Sequence, residues 1–355
     1  MAPVIQRLAR TPGIESRVCV TAQHRQMLDQ VLNLFGIQPD YDLDLMRDDQ
    51  SLAEMSAAIF THLDPIFAAF TPDWVLVQGD TTTVAITSLL AYYRRIKVGH
   101  VEAGLRTHDK WQPFPEEINR RVAGVAADLH FAPTQQAREN LLREGIAEQA
   151  IAVTGNPVID ALQYVAQQPE PEEVTALLRK LGIGTRELVL VTAHRRENFG
   201  QPLENICRAL KELAGSGDVE IVYPVHLNPN VQGTVRRMLE NTPHITLLPP
   251  LDYLPLVHLQ KQSKIILTDS GGIQEEAPAF GVPVLVLREV TERPEGIAAG
   301  TLKLVGTKTE TIIREARRLL DDPSAYAEMA KAANPFGDGH AAERILEALQ
   351  GFSGR

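Results

Sequence analysis

Acidic residues follow two consecutive apolar segments in the first half of the chain. VLVQGDTTT places Asp80 after a run of valine and leucine, and VGHVEAGLR places Glu102 after the next such run. In open parallel sheets, ligands bind outside the carboxyl ends of the strands, so both positions are candidates for a site. A carboxylate there could act as a general acid or base. Asp80 could instead serve only as a helix N-cap.

A further acidic pair lies in WQPFPEEINRR, where Glu116 and Glu117 follow Pro115. Burial raises the pKa of a carboxylate, which would let either residue exchange a proton with a substrate. The alternative is structural, because acidic residues in the first turn of a helix interact favourably with the helix dipole and proline is common at the helix start. The sequence favours the structural role for Glu117 and leaves Glu116 open.

Basic residues mark the corresponding position in the second half. LVLVTAHRRENFG leads from an apolar strand directly into His194, Arg195, Arg196 and Glu197. A histidine and two arginines at a strand end suit a diphosphate, because guanidinium groups make paired hydrogen bonds with phosphate oxygens. The alternative is a solvated run of surface charge. For His226 in VYPVHLNPN, a structural role and a functional role are both open.

The segment IILTDSGGIQEEA predicts a phosphate-binding loop. Ser270, Gly271 and Gly272 lie between a predicted strand and a predicted helix, where backbone N–H groups can approach a phosphate closely. Glu276 lies further along the helix and could accept hydrogen bonds from ribose hydroxyls. Arg293 in VTERPEG is expected to bind the same anion, with a structural role as the alternative. The pattern is neither GxGxxG nor GxxxxGK[ST], so neither a dinucleotide fingerprint nor an ATP-binding P-loop is indicated.

Alternating strands and helices are predicted to position these residues. Short runs rich in Val, Ile and Leu recur with helical stretches between them, which is typical of an α/β protein with parallel sheets. The predicted strands span residues 17–21, 74–78, 98–101, 129–132, 151–153, 188–192, 220–224, 245–248, 264–268, 284–287 and 301–304.

Two domains are predicted, because 355 residues are about twice the length of a typical domain. TGNPVID predicts a turn and QQPEPEE is polar and proline-rich, which places the boundary near Tyr164. We expect an N-terminal domain of residues 1–163 and a C-terminal domain of residues 164–335. Because the turn signals NPFGDG precede a last helix, residues 336–355 are expected to pack back on the first domain.

Composition and charge exclude several classes of protein. Hydrophobic residues make up 44% and charged residues 23%, which suits globular domains and excludes a disordered or fibrous chain. The net charge of -10 argues against a nucleic-acid partner. The two cysteines predict neither a disulfide framework nor a cysteine-based zinc site, and they favour a cytoplasmic setting. With neither a membrane-spanning apolar run nor a signal-peptide pattern, no membrane partner is expected.

Taken together, the motifs resemble those of the bacterial non-hydrolysing UDP-N-acetylglucosamine 2-epimerase family. The resemblance covers essentially the whole chain, and the motifs keep the family's order: TAQHRQML, GDTTT, GHVEAGLRT, PFPEEINR, TAHRREN, YPVHLNP, TDSGGIQEEAP, TERPEG and NPFGDG. It implies a GT-B-like α/β fold of two Rossmann-like domains with parallel sheets facing across a cleft. It also implies a homodimer.

The resemblance implies a reversible interconversion of UDP-N-acetylglucosamine and UDP-N-acetylmannosamine, in which UDP is eliminated to leave 2-acetamidoglucal and is then added back. No metal or other cofactor is implied. Catalytic roles carry over to Asp80, Glu102, Glu116 and His194, without an indication of which carboxylate takes the C2 proton. The positions that match substrate-binding residues of the family are Ser270, Gly271, Gly272, Glu276 and Arg293.

Members of the family are often activated by UDP-N-acetylglucosamine bound beside the catalytic site. Asp49 lies where some relatives carry a basic residue, and Leu251 and Leu256 lie near positions where some carry a glutamine and an aromatic residue. The contacts to activator and uracil are therefore expected to differ from those relatives. The positions that match the activator region are Gln23, Gln26, Arg196 and His226.

Family members also carry an apolar strand and a GTRPEAIK-like segment ahead of the position that matches Met1. We therefore expect the sequence to be about 15 residues short of the family's catalytic fold, with one arginine and one lysine for the diphosphate in the absent part. Two other functions stay open at this point. One is a GT-B glycosyltransferase that uses a UDP-sugar, and the other is a nucleotide-sugar-binding protein without turnover.

Overall fold

The computed structural model describes residues 1–21, 25–47 and 50–352, without the side chains of Gln26 and Met27. Contacts between residues divide the chain into two compact units. Unit 1 contains residues 1–161 and 336–355, and unit 2 contains residues 162–335. In the described part of the chain, no helix is long and apolar enough to cross a membrane.

The strands of the two units form separate parallel sheets. In unit 1 the strands are β1 (Cys19–Val20), β2 (Tyr41–Asp42), β3 (Trp74–Gln78), β4 (Lys97–Val101), β5 (Leu129–Ala132) and β6 (Ile151–Val153). In unit 2 they are β7 (Glu187–Thr192), β8 (Val219–Pro224), β9 (Ile245–Leu248), β10 (Ile265–Thr268), β11 (Val284–Val286) and β12 (Leu302–Leu304).

The helices mostly connect consecutive strands. They are α1 (Ala2–Ala9), α2 (Arg25–Phe35), α3 (Leu52–Phe70), α4 (Thr82–Tyr93), α5 (Glu116–Ala126), α6 (Gln135–Arg143), α7 (Pro157–Ala166), α8 (Glu172–Leu181), α9 (Gln201–Ala214), α10 (Pro229–Leu239), α11 (Tyr253–Gln262), α12 (Gly271–Glu276), α13 (Pro294–Ala299), α14 (Thr309–Asp321), α15 (Pro323–Ala330) and α16 (Ala341–Gly351). Helix α3 begins with a capping box, in which the Ser51 hydroxyl and the Glu54 carboxylate each accept a hydrogen bond from the other residue's backbone N–H.

Among the described residues, unit 1 has a sheet in the order β3-β4-β5-β6, and β1 pairs separately with β2. Helix α16 lies in this unit, where Ile345 packs in one apolar cluster with Val4 of α1 and with Leu129 and Phe131 of β5. The Asp160 carboxylate of α7 accepts hydrogen bonds from the first backbone N–H groups of α16. These hydrogen bonds fix the position at which α16 begins.

The sheet of unit 2 has the order β12-β11-β10-β7-β8-β9 within the described residues. From β7 the chain proceeds outward through β8 and β9, and it then returns to β10 on the other side of β7. Ligands of doubly wound sheets bind outside the carboxyl ends of the strands at such a reversal. Thr192 and Thr268, the last residues of β7 and β10, therefore mark the expected ligand position.

The α/β class with parallel sheets, predicted from the sequence, is confirmed. Strand β7 at the centre of unit 2 shows why the sequence pattern predicts the strands. Val189, Leu190 and Val191 are fully buried, because helices cover both faces of a parallel sheet. Each of these positions must therefore be apolar, which gives a continuous apolar run in the sequence. Strand β2 is not predicted, since two residues of mixed polarity carry no periodic signal. Strand β1 is shorter than the predicted span of residues 17–21.

Candidate active site

Asp80 lies at the carboxyl end of β3 and is held by an arginine of α5. Arg120 Nε and Nη2 donate to the same oxygen, Asp80 Oδ2, at 3.0 and 2.7 Å. The N-cap of α4 is Thr81, whose hydroxyl accepts from the backbone N–H of Val84. The interpretation of Asp80 as that N-cap is therefore wrong. Asp80 keeps about 29% of its side-chain surface exposed, so its carboxylate is both oriented and accessible.

A buried histidine fixes the turn that carries Asp80. His100 of β4 donates from Nε2 to the carbonyl oxygen of Gly79 at 2.8 Å. Burial lowers the pKa of His100 to about 4, so the ring is neutral near pH 7. Gly79 has a φ of +84°, a conformation that glycine adopts without steric cost.

Glu102 follows β4 and lies beside the same turn. Gln78 Nε2 donates to Glu102 Oε2 at 3.3 Å, and a Cβ atom placed on Gly79 would lie 3.7 Å from this oxygen. The φ of Glu102 is +65°, which is uncommon for a residue with a side chain and is found preferentially at functional sites. The structure thus brings Glu102 and the Asp80 turn together, as expected for adjacent strand ends.

Glu116 and Glu117, the first two residues of α5, have different surroundings. Glu117 is fully buried and accepts hydrogen bonds from the backbone N–H groups of Thr107 and His108 and from Arg120. This arrangement is structural. Glu116 Oε2 is also buried but has no hydrogen-bond partner among the described residues. A buried carboxylate oxygen without a partner is costly, so this oxygen marks Glu116 as a candidate catalytic group.

In unit 2, the carboxyl ends of β7 and β10 are joined by side-chain hydrogen bonds. The hydroxyls of Thr192 and Thr268 lie 2.6 Å apart. The next residue, Asp269, is fully buried and accepts from the backbone N–H groups of His194 and Arg195 and from Asn198 Nδ2. Asp269 therefore holds the segment after β7 against the strand end where the sheet order reverses.

His194 has its ring Nδ1 3.4 Å from Asp269 Oδ1. Its ring stacks on His226 with centroids 5.3 Å apart and planes 14° apart. Burial, the largest effect, lowers the pKa of His194, Asp269 opposes this, and the neighbouring His226 and Arg195 lower it further. His194 is thus a partly buried imidazole with one nitrogen beside a carboxylate.

The residues matched to the activator region are only partly described. His226 is exposed, and its Nδ1 accepts the backbone N–H of Asn228 at 3.1 Å. Arg196 is exposed in a short 3-10 helix, Arg196–Asn198. Gln23 lies outside the described residues, and Gln26 lies in α2 without a described side chain. Of this set, the structure relates only His226 to His194.

The predicted phosphate loop begins helix α12. Ser270 is the N-cap and makes no capping bond with its side chain, and Gly271 is the first helical residue. A Cβ atom on Gly271 would lie 3.4 Å from the guanidinium carbon of Arg293, so a cation lies against this helix start. Arg293 Nε donates to Glu275 Oε1 at 2.8 Å, which orients the guanidinium. Gly272 follows Gly271 and adds no side chain to the loop.

Glu276, the last residue of α12, is buried between two donors. Tyr253 Oη donates to Glu276 Oε1, and Gln260 Nε2 donates to Glu276 Oε2, each at 3.0 Å. Burial raises the pKa of Glu276 to about 7, while the two hydrogen bonds act in the opposite direction. A carboxylate oxygen has two lone pairs, so each oxygen can still accept a hydroxyl.

The sequence alone does not reveal several partners of these residues. Arg120 lies 40 positions from Asp80, and Tyr253 and Gln260 precede Glu276 by a strand and a turn. Asp269 could be identified as a candidate from the sequence, because it directly follows a buried strand. Asp80 is a candidate for a similar reason, since it lies just beyond the end of β3. Among the described residues, no group of three or more His, Cys, Asp or Glu side chains could hold a metal ion.

Comparison with known proteins gives a consistent result. The model of the UDP-N-acetylglucosamine 2-epimerase family matches residues 6–350. The chain is 53% identical over 361 residues to a UDP-N-acetylglucosamine 2-epimerase of Salmonella typhimurium, with 99% of this chain and 95% of the relative covered. It is also 53% identical over 357 residues to the enzyme of that name from Escherichia coli K12, at 99% and 94% coverage.

The fold is similar to that of solved structures. One is a UDP-GlcNAc 2-epimerase from Neisseria meningitidis bound to UDP-GlcNAc, with a TM-score of 0.88 and 47% sequence identity. The alignment covers 99% of this chain and 95% of that one. The GT-B-like α/β class predicted from the sequence is confirmed by this likeness and by the two parallel-sheet units.

Proposed function

Because the chain belongs to the UDP-N-acetylglucosamine 2-epimerase family, we propose that it interconverts UDP-N-acetylglucosamine and UDP-N-acetylmannosamine. It is accordingly an isomerase. The observation that carries the proposal is the family match over residues 6–350, joined to a relative of 47% identity that binds UDP-GlcNAc. The alternatives, a glycosyltransferase and a binding protein without turnover, are not favoured.

Unit 2 supplies groups that suit UDP. The start of α12 offers backbone N–H groups at Gly271 and Gly272 next to the guanidinium of Arg293, which suits a diphosphate. Glu276 has lone pairs left for the ribose hydroxyls. Ser270 adds a hydroxyl that makes no capping bond. We assign these residues to substrate binding.

The reaction proceeds by elimination and addition. A base takes the C2 proton, the bond between C1 and the UDP oxygen breaks, and a C1=C2 double bond forms in 2-acetamidoglucal. UDP then adds to C1 while C2 accepts a proton from the opposite face. The atoms balance without an added reactant, because the leaving group is also the returning nucleophile.

Unit 1 supplies the acid and base candidates. Asp80 is oriented by Arg120, Glu102 lies beside the same turn, and Glu116 has a buried oxygen without a partner among the described residues. Removal and return of the C2 proton on opposite faces require two proton-transfer groups, which this set provides. His194 is assigned to the leaving diphosphate, where an imidazolium would stabilise the developing negative charge.

Finer features of the proposal come from the resemblance. We assign a second role to UDP-N-acetylglucosamine as activator, with Gln23, Gln26, Arg196 and His226 as its candidate contacts. The stack of His226 on His194 gives that site a direct contact with a catalytic candidate. We also propose a homodimer, a cytoplasmic location and a role in supplying N-acetylmannosamine units for cell-surface polysaccharide.

The proposal is tested by incubating the purified chain with UDP-N-acetylglucosamine alone and, separately, with UDP-N-acetylmannosamine. We expect both reactions to reach the same mixture of the two nucleotide sugars, as measured by proton NMR. A glycosyltransferase would need an acceptor and a binding protein would return the substrate unchanged. If neither incubation forms the other nucleotide sugar, the proposal is wrong.

A further inference from the structure

We propose that Asp269 is a positioning residue that fixes the orientation and proton placement of His194 for the departing diphosphate. The inference rests on the proposed function, because the role of His194 does. Asp269 lies within the motif TDSGGIQEEAP, but it is neither one of the site residues carried over from the family nor a group assigned above to the substrate.

The geometry concentrates donors on one buried carboxylate. Asp269 Oδ2 accepts from the backbone N–H groups of His194 and Arg195, each at 2.8 Å, and from Asn198 Nδ2 at 2.9 Å. The backbone N–H of His194 also lies 3.0 Å from Oδ1. Asn198 is buried and donates as well to the carbonyl oxygen of Leu287, which ties the segment to the residue after β11. The backbone of His194 is thus fixed at the point where the sheet order reverses.

The same carboxylate also acts on the imidazole ring. Oδ1 lies 3.4 Å from His194 Nδ1, a separation at which a negative charge favours a proton on that nitrogen. With one proton held on Nδ1, the other ring nitrogen, Nε2, is available to the substrate. In the imidazolium, Nε2 carries the second proton and can donate it in a hydrogen bond to the diphosphate. A carboxylate that orients the far nitrogen of a working histidine is a recurring device in proton-transferring sites.

Charge near His194 determines the expected pH effect. His226 and Arg195 lower the pKa of His194, burial lowers it more, and Asp269 alone among the named neighbours raises it. Stabilisation of the leaving diphosphate needs the imidazolium, so activity should fall as pH rises through the pKa of His194. Removing the charge of Asp269 lowers this pKa, and the alkaline limb of activity should then move to lower pH.

The test compares Asp269→Asn with Asp321→Asn, a control on α14 whose side chain is about 61% exposed. We expect Asp269→Asn to reduce kcat by about 100-fold, with the larger loss at pH 8 than at pH 6, because misplaced catalytic groups have effects of this size. Histidine NMR should report a lower pKa for His194, identified through His194→Gln. The control should match the parent. A parent-like kcat, or an unchanged pKa of His194, overturns the proposal.

A second measurement decides the case if circular dichroism shows that Asp269→Asn does not fold. Nitrogen-15 shifts of the parent distinguish the two neutral tautomers of His194 above its pKa. A proton on Nδ1 supports the proposal, and a proton on Nε2 overturns it. This measurement does not depend on turnover, so failure of the epimerase assay and failure of the Asp269 contact can be told apart.

Discussion

Glu116 and Glu117 are adjacent in sequence, yet the structure places their side chains in different surroundings. Glu117 is saturated by hydrogen-bond donors, so its charge is committed to the fold. Glu116 keeps one buried oxygen without a partner among the described residues. The sequence left the role of Glu116 open because a first helical turn looks the same in both cases. Only the contacts of the folded chain distinguish a carboxylate saturated by donors from one that keeps a buried oxygen without a partner among the described residues.

Replacing Glu116 by glutamine removes the proposed proton-transfer group while keeping the shape of the side chain. We expect kcat to fall by about 100- to 10,000-fold, the range found for positioned acid–base groups. Glu139→Gln on α6, with an exposed side chain in a surface ion pair, is the matched control and should keep parent activity. Initial rates of epimerisation at saturating substrate measure the effect. If the two variants have similar rates, Glu116 takes no part in proton transfer.

Glu276 should make UDP binding depend on pH. Burial raises its pKa to about 7, so the side chain is mostly protonated at pH 6 and mostly charged at pH 8. The charged form is the better acceptor for ribose hydroxyls, so affinity for UDP should rise with pH, by up to about tenfold across this interval. Titration calorimetry at both pH values measures the change.

The control for this effect is Glu276→Gln, which cannot ionise. UDP itself changes charge in this pH range, which also affects its affinity. The variant measures this part of the pH dependence alone. We expect the pH dependence of the variant to be clearly flatter than that of the parent. Equal slopes for both proteins would show that Glu276 does not govern nucleotide affinity.

The elements follow closely from the sequence where apolar runs end at polar or turn-forming residues. Strands β3, β5, β6 and β9 have the predicted limits, because their largely apolar runs are bounded by polar or turn-forming residues. Contacts between elements that are far apart in the sequence are harder to predict from it. Nothing near Asp80 indicates that Arg120 of α5 will reach it, since α5 is placed by its packing against α4.

Gly104, in the loop after β4 that also carries Glu102, has a positive φ and almost no free space. A Cβ atom there would lie 2.2 Å from the carbonyl oxygen of Ala137, so Gly104→Ala forces this loop and α6 apart. Gly145→Ala is the control, because Gly145 has nearly the same φ but a Cβ atom added to it would meet nothing within 4 Å.

We expect Gly104→Ala to lower the free energy of unfolding by about 1–3 kcal/mol more than Gly145→Ala does, the usual cost of overpacking. Both variants place an alanine at a positive φ and are destabilised by that to a similar degree. The difference between their free energies of unfolding therefore measures the steric clash at Gly104. Urea unfolding followed by circular dichroism gives the two values. Equal losses would mean that the loop after β4 adjusts freely and does not hold Glu102 rigidly.

At the scale of the whole molecule, the two units carry different chemical groups. Unit 1 carries the carboxylates Asp80, Glu102 and Glu116, while unit 2 carries His194 and the start of α12, which we propose binds the diphosphate. A net charge of -10 is compatible with the proposed anionic substrate, because a cation such as Arg293 lies against the helix start. Composition argues against nucleic acid as a partner but does not reveal this local arrangement.

The most direct test of proton removal at C2 is the reaction in heavy water. UDP-N-acetylglucosamine incubated with the chain in D₂O should give UDP-N-acetylmannosamine with deuterium at C2, and the recovered substrate should acquire deuterium at the same carbon. Proton NMR and mass spectrometry measure both. An epimer that keeps its C2 hydrogen, or no epimer and no exchange, would contradict elimination and re-addition of UDP by this protein.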